Sequence, residues 1–506
     1  MTHPAVIELA GIASLSTQLT AEYLEFNAVL PLRVEAGRVA VATWRTEVDP
    51  QVLGDLRFVF DGELELVQGP EDELRAAIRR VYGGDGVTAE GMIAGLGAGE
   101  DPDGSSAEVP LDDLVHLANE APVVKLVNLL LLEALEARAS DVHVEGYAGE
   151  LRVRYRIDGV LQEGPTPPAH LKAAIVSRLK IMADLDIAER RVPQDGRIRL
   201  RLQDRQVDVR VSTVPVLHGE SIVLRLLDKQ RGRIALEDLG MGDDVRTRFE
   251  EVINRPHGIV LATGPTGSGK TTSLYAAVER IRTGREKILT VEDPVEYELP
   301  GVPQVPVHEK VGLTFATALR SLLRQDPDVL LVGEIRDEQT SEIATHAALT
   351  GHLVLSTLHT NDAPSALVRL IDLGAAPYLV ASTVEAVLAQ RLVRKICPAC
   401  KEIVQPDPRL TAALGLDPGA LDRTSRGVGC PECLGSGYRE RTGIYELLVM
   451  TDELRAELPQ HRGAAELRRL AIKSGMRTLA EDGVRLVQAG VTTVEEVLRV
   501  TRGQRA

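Results

Sequence analysis

At 506 residues the chain is too long for one typical domain, and three or four are expected. Its 44% hydrophobic and 26% charged residues are those of an ordinary globular protein, and no run of about 18 apolar residues predicts a membrane span. A net charge of −16 argues against a general nucleic-acid binder, which is normally basic, although it leaves room for a local basic site.

The N-terminus, MTHPAVIELAG, has no basic stretch followed by a long apolar one, so no secretory signal is expected and the chain reads as cytosolic. Residues 1–82 form a first unit. LRVEAGRVAVATW reads as a hairpin turning at Gly37, and DPQVLGDLRFVF as a helix capped by Asp49 with Pro50 in its first position. ELELVQ is a short strand, and EDELRAAIRRVY an amphipathic helix ending at Gly83. Nothing there looks catalytic, and a small partner-docking module is the expectation. Residues 83–109, rich in Gly with Asp, Ser and Pro, read as a flexible linker.

Residues 110–229 form a second, α+β unit. A helical stretch, DDLVHLANEAPVVKLVNLLLLEALEARA, precedes LRVRYRIDGVLQE. There Leu151, Val153, Tyr155 and Ile157 alternate with Arg152, Arg154 and Arg156, and Asp158-Gly159 signals a hairpin turn. Further strands follow in RIRLRLQDRQVDVRVSTV and SIVLRLLD, and the polar stretch DKQRGRI joins this unit to residues 230–506.

That last unit opens with HGIVLATGPTGSGKTTSLYAAVERI, which reads strand, loop, helix. The loop Gly264, Pro265, Thr266, Gly267, Ser268, Gly269, Lys270, Thr271 matches G-x-x-x-x-G-K-[ST]. Its glycines let backbone N–H groups wrap a phosphate. Lys270 is suited to the β/γ oxygens, and Thr271 to Mg²⁺. DPDVLLVGEIRD supplies a second strand with Glu334 at its carboxyl end, placed to polarise an attacking water. KILTVEDPVEY ends in Glu292, Asp293 and Glu296, which repel one another unless a cation or water network lies among them. GHLVLSTLHT carries His352 before its strand and His359 after it. Either histidine alone reads as a surface turn. Three apolar strands ending in polar residues read instead as the ligand edge of an open α/β sheet.

Arg320 and Arg324 share a helical face in FATALRSLLRQDPD. Arg210 and Arg225 lie on strands of the second unit, where they suit either a solvated sheet face or an arginine finger completing a nucleotide site. The four cysteines form two pairs, Cys397-x-x-Cys400 and Cys430-x-x-Cys433. Two knuckles with four thiolates suit tetrahedral Zn²⁺ with no open position, hence a structural site at the base of a loop-rich insertion. Redox-active or unligated pairs are the alternative.

The motifs ASDVHVE, RVPQDGRI, GPTGSGKTT, TVEDPVEY, RQDPDVLLVGEIRD, GHLVLSTLHTND and AQRLVR, in this order, resemble the GspE family of type II secretion and pilus-assembly ATPases. The resemblance runs from about residue 115 to the end. It implies a RecA-like P-loop ATPase core, an α/β fold, preceded by α+β N-terminal domains and carrying a zinc-binding insertion. It implies ATP as substrate, with Mg²⁺ and Zn²⁺, in a homo-hexamer. The ring would sit peripherally on the cytoplasmic face of the inner membrane, bound to secretion-platform proteins through residues 1–82, with no nucleic-acid partner. Glu334 would be the Walker B carboxylate. Glu292, Asp293 and Glu296 would form the aspartate box, and His352 and His359 the histidine box. Arg210 and Arg225 would face the phosphates, and Arg320, Arg324, Arg336 and Arg369 match family arginines. The tetracysteine argues for secretion or pilus extension over retraction. A pilus-extension ATPase is therefore the alternative, followed by a nucleotide-binding scaffold without turnover, against which Lys270, Thr271 and Glu334 speak.

Overall fold

The computed structural model describes residues 21–35, 38–45, 48–60, 62–81, 89, 92–93, 121–202, 205–228, 234–417, 419–460 and 463–501. Most of the expected linker at 83–109 and of the joint at 228–234 lies outside the described residues, as do residues 112–120 of the expected helix; within 83–109, Ala89 is buried and its N–H donates to Glu133 Oε1 at 2.7 Å. The chain divides into two compact units. One comprises residues up to 156 with 161–198 and 210–225, and the other comprises 157–160, 199–209 and 226 onward.

The N-terminal residues build a three-stranded sheet from β1 (Val29–Glu35), β2 (Arg38–Thr43) and β3 (Glu63–Gln68). β1 and β2 pair antiparallel, as the hairpin reading requires, and β3 joins β2 in parallel. A parallel neighbour needs a crossover, supplied by the helix Pro50–Phe60. Leu24, Val39, Val41, Leu56, Leu74 and Ile78 fill the core between sheet and helices.

Residues 121–228 follow with the helix Ala121–Glu136 and a six-stranded sheet. Its strands are β4 (Ala139–Tyr147), β5 (Glu150–Ile157), β6 (Val160–Glu163), β7 (Gln194–Leu202), β8 (Arg205–Val216) and β9 (Gly219–Asp228), in the order β6-β5-β4-β9-β8-β7. On β5 the period of two holds: Leu151, Val153 and Tyr155 are buried while Arg152 is exposed. Asp158 and Gly159 both take positive φ, 49° and 83°, which the tight β5–β6 turn demands. The helix Lys172–Met182 buries Lys180 completely. Its ammonium donates to Glu220 at 2.8 Å and to the Glu189 carbonyl at 2.7 Å, so the buried charge is paired.

The largest sheet has seven strands in the order β12-β11-β13-β14-β10-β15-β18. These are β10 (Gly258–Thr263), β11 (Ile288–Glu292), β12 (Gln304–Pro306), β13 (Val329–Val332), β14 (Leu353–Leu358), β15 (Val384–Ile396) and β18 (Tyr438–Val449). All neighbours are parallel except β18, which runs antiparallel to β15. Along β10, Ile259 and Leu261 enter one apolar cluster, with Leu330, Val354 and Leu367. Val260 and Ala262 enter another, with Leu274, Tyr275 and Val278. Burial on both faces explains why these strands read as continuous apolar runs.

Candidate nucleotide site and cysteine cluster

β10 delivers its chain into the loop before the helix Lys270–Ile281. Gly264, Gly267 and Gly269 take φ of 151°, 77° and 87°, which glycine alone adopts without strain. A Cβ on Gly264 would stand 2.5 Å from Ser268 Oγ and 2.7 Å from the Gln390 carbonyl oxygen, so the loop is tightly seated as well as sharply turned. The helix has no side-chain cap at Gly269, which leaves first-turn N–H groups for an anion.

Lys270 is buried, and its ammonium donates to the carbonyls of Gly264 at 2.8 Å and Pro265 at 3.1 Å. Burial lowers its pKa to about 8; Glu334 opposes that shift and Arg391 adds to it. Glu334, beyond the end of β13, is buried. Its Oε1 accepts from Arg336 at 2.5 Å, and its Oε2 lies 3.6 Å from His359 Nε2. Burial and the Lys270 charge push the His359 imidazole below its usual value. Thr263 Oγ1 stands 2.8 Å from Thr360 Oγ1 and accepts from the Thr360 N–H at 2.9 Å, tying the end of β10 to the turn that carries His359. The structure thus brings Lys270, Glu334, Arg336 and His359 together beside the phosphate loop.

The acidic strand end behaves differently from a simple trio. Glu292 turns inward, 3% exposed, and accepts from the Tyr275 hydroxyl, from Thr290 Oγ1 at 2.6 Å and from Gln304 Nε2 at 3.1 Å. Its carboxylate braces the phosphate-loop helix against β11 and β12. Asp293 and Glu296 are exposed, so divergence relieves the repulsion expected among the three. Arg336, strengthened chiefly by Glu334, also feels the Asp293 charge. His352 is held away from this centre by the Ala347 carbonyl at 2.9 Å. The helix Phe315–Leu322 ends before Arg324, which lies in a 3₁₀ turn and donates back to the Arg320 carbonyl at 2.9 Å. Arg369 is exposed on the helix Ala363–Asp372. Arg210 and Arg225 belong to the other unit. There β4 and β9 place Asp141 opposite Arg225, whose Nε donates to Asp141 Oδ1 at 2.9 Å.

The four thiols converge. Sγ separations are 3.8 Å for Cys397–Cys430, 3.8 Å for Cys400–Cys433 and 3.7 Å for Cys430–Cys433. A disulfide needs about 2.05 Å. A tetrahedron with Zn–S bonds of about 2.3 Å has edges of about 3.8 Å, so the donor set fits Zn²⁺ and leaves no position for a substrate. The N–H groups of Cys430 and Gly437 both donate to Cys433 Sγ at 3.2 Å, contacts that favour its thiolate form. The insertion is more ordered than a loop: it holds the helix Pro408–Ala413 and the antiparallel strands β16 (Lys401–Val404) and β17 (Thr424–Gly427). Leu414 and Leu421 pack on Val487, Val494 and Val497 near the C-terminus. Protein prepared without chelator is expected to carry one zinc per chain by elemental analysis. Cys430→Ser should lower metal content and protease resistance around 397–437 while nucleotide affinity stays near that of the parent. A full complement of free thiols with no zinc would remove the structural-metal assignment.

The type II/IV secretion system protein family matches residues 116–499, and the MshEN domain matches residues 10–88. Type II secretion system protein E of Pseudomonas aeruginosa is 49% identical over 459 residues, covering 90% of this chain and 91% of its own length. Type IV pilus assembly ATPase PilB of Myxococcus xanthus is 44% identical over 492 residues, covering 96% of this chain and 86% of its own. The solved ATPase DotB of Legionella pneumophila superposes with a TM-score of 0.56 at 21% identity, over 75% of this chain and 96% of its own, and shares the fold.

Proposed function

The chain belongs to the type II/IV secretion system protein family, and from that premise we propose that it is the ATP-hydrolysing motor that powers type II protein secretion. The observation that carries this reading is the convergence of Lys270, Glu334, Arg336 and His359 beside a glycine loop on a RecA-like sheet. In a non-hydrolysing scaffold nothing requires a buried carboxylate there.

Glu334 Oε1 is held by Arg336, which leaves Oε2, on the His359 side, to take the proton of the attacking water. Lys270 exchanges the carbonyls of Gly264 and Pro265 for β/γ oxygens, which restores the charge that burial disfavours. Thr271 and the exposed Asp293 would hold Mg²⁺, which neutralises phosphate charge when bound. Glu292 braces the strand end that carries Asp293 and Glu296. Arg210 and Arg225 face the phosphates as finger arginines. Four parts follow: 1–82 docks on inner-membrane platform proteins, 83–109 tethers it, 110–229 carries the fingers, and 230–506 hydrolyses ATP. The motor works as a hexameric ring on the cytoplasmic face. No helix among the described residues is long and apolar enough to cross a membrane.

The relative named for type IV pilus assembly, matched over 96% of this chain, supports the second reading, a pilus-extension motor. Lys270→Ala is expected to lower Mg²⁺-dependent phosphate release by roughly 10²–10³-fold. In the native host the same substitution should leave exported proteins in the periplasm with surface pili retained. Loss of pili with secretion intact would establish the pilus reading, and undiminished hydrolysis would remove the enzyme reading altogether.

A further inference from the structure

β15 crosses the sheet beside β10, and most of its residues are apolar and buried. Three buried polar residues interrupt it, Glu385, Gln390 and Arg391, and the last two, 1% and 7% exposed, lie beside the phosphate loop. Gln390 Nε2 donates to the carbonyl oxygen of Ser268 at 2.8 Å. A carbonyl can only accept, so this contact fixes which end of the amide faces the loop. A Cβ on Gly269 would stand 3.1 Å from the same nitrogen, so the amide is packed closely against the loop's last turn. Arg391 completes the seat: its Nη1 donates to the Gln390 carbonyl at 3.0 Å and its Nη2 to the Asn361 carbonyl at 2.9 Å. One strand thereby holds both the phosphate loop and the turn after His359.

The geometry points to Gln390 as a positioning residue for phosphate binding. The peptide joining Ser268 to Gly269 is planar and trans, so its C=O and N–H point in opposite directions. Holding the Ser268 oxygen against β15 aims the Gly269 N–H away from that strand, to the opposite side of the loop. That N–H precedes the uncapped first turn of the helix Lys270–Ile281, where donors for a phosphate group accumulate. Glycine at 269 leaves this peptide soft, and Gln390 supplies the restraint that the glycine lacks. Gln390 touches neither water nor phosphate in this role and acts through the loop. The inference rests on nucleotide binding at Gly264–Thr271 and is independent of what the motor moves.

The restraint serves bound ATP and its transition state alike, so its loss should appear in affinity more than in turnover. Three variants of the full chain separate donation from packing. Gln390→Met keeps the volume without a donor, Gln390→Ala removes both, and Gln390→Glu keeps the shape but sets a carboxylate against the Ser268 oxygen. The dissociation constants for ATP and ADP should rise roughly fivefold to tenfold in Gln390→Met and Gln390→Ala, and further in Gln390→Glu, with kcat within about twofold of the parent. ATP and ADP should suffer equally, because the γ-phosphate is not what the restraint serves. The Tm of nucleotide-free protein reports on stability separately: Gln390→Met should lower it least, Gln390→Ala more through the cavity it leaves, and Gln390→Glu through its buried carboxylate. Affinities that follow side-chain volume, with Gln390→Met and Gln390→Glu both close to the parent, would overturn the assignment and leave Gln390 a core residue. Absence of ATP binding in the parent would fail the nucleotide-site reading itself.

Discussion

Glu334→Gln is expected to leave ATP affinity within a few-fold of the parent and to lower turnover by roughly 10²–10⁴-fold. The amide copies the carboxylate's shape, so the buried pocket beyond β13 has no reason to rearrange. It cannot take a proton, and the chemical step loses its base. The contact at Oε1 also weakens, since Arg336 then faces a neutral oxygen in place of the carboxylate it meets at 2.5 Å. Nucleotide titration beside single-turnover phosphate release separates the two effects. Affinity collapsing together with turnover would identify Glu334 as a metal ligand or a structural anchor and leave the base to be found elsewhere.

Arg210→Ala should cost turnover roughly 10³-fold or more, as removal of an arginine finger does, while ATP affinity falls far less. The expectation follows from the proposal that Arg210 and Arg225 meet charge that develops on the phosphates. Arg225 is anchored on one side by Asp141 and is still 55% exposed, so its own domain leaves much of the guanidinium open to solvent. ATP should then draw residues 110–229 toward the hydrolytic domain, and hydrolysis should release them. Spectroscopic labels on the two parts, read with and without a non-hydrolysable analogue, measure that movement. Constant distances with normal turnover in Arg210→Ala would reduce residues 110–229 to a spacer.

Sequence reasoning was strongest where chemistry is local. The turn at Asp158-Gly159, the β5 alternation and the strand–loop–helix at Gly264–Thr271 are each written within a few consecutive residues, and each stands as read. The cysteine pairs were legible for another reason: four thiols in two tight turns have few other uses. What stayed hidden depends on partners far along the chain. Nothing near Glu292 announces that Tyr275 and Gln304 will take its oxygens, which makes it a brace. Lys180 sits in a segment where a lysine ordinarily marks the wet face of a helix, and its burial becomes tolerable through the Glu189 carbonyl and the carboxylate of Glu220, 40 residues later. Gln390 carried a signal, a polar side chain in an apolar strand, but its meaning required knowing that Ser268 lies across from it.

The pairing of β15 with β18 runs from Ala386–Val449 to Ile396–Tyr438. Gln390 stands within that ladder, opposite Tyr445 and against the phosphate loop, and just past its far end stands Cys397, whose N–H donates to the Gly437 carbonyl at 3.0 Å. A doubly hydrogen-bonded ribbon of this kind resists stretching along its length, because lengthening it means breaking ladder bonds together and not in turn. A displacement of the cysteine-bearing insertion along β15 would reach Gln390, and through it the Ser268 carbonyl, as tension runs through a tendon. The cysteine-bearing insertion and the phosphate loop are thus two attachments on one continuous strand, and a load applied to the first has a path to the second along that backbone and across the Gln390 hydrogen bond.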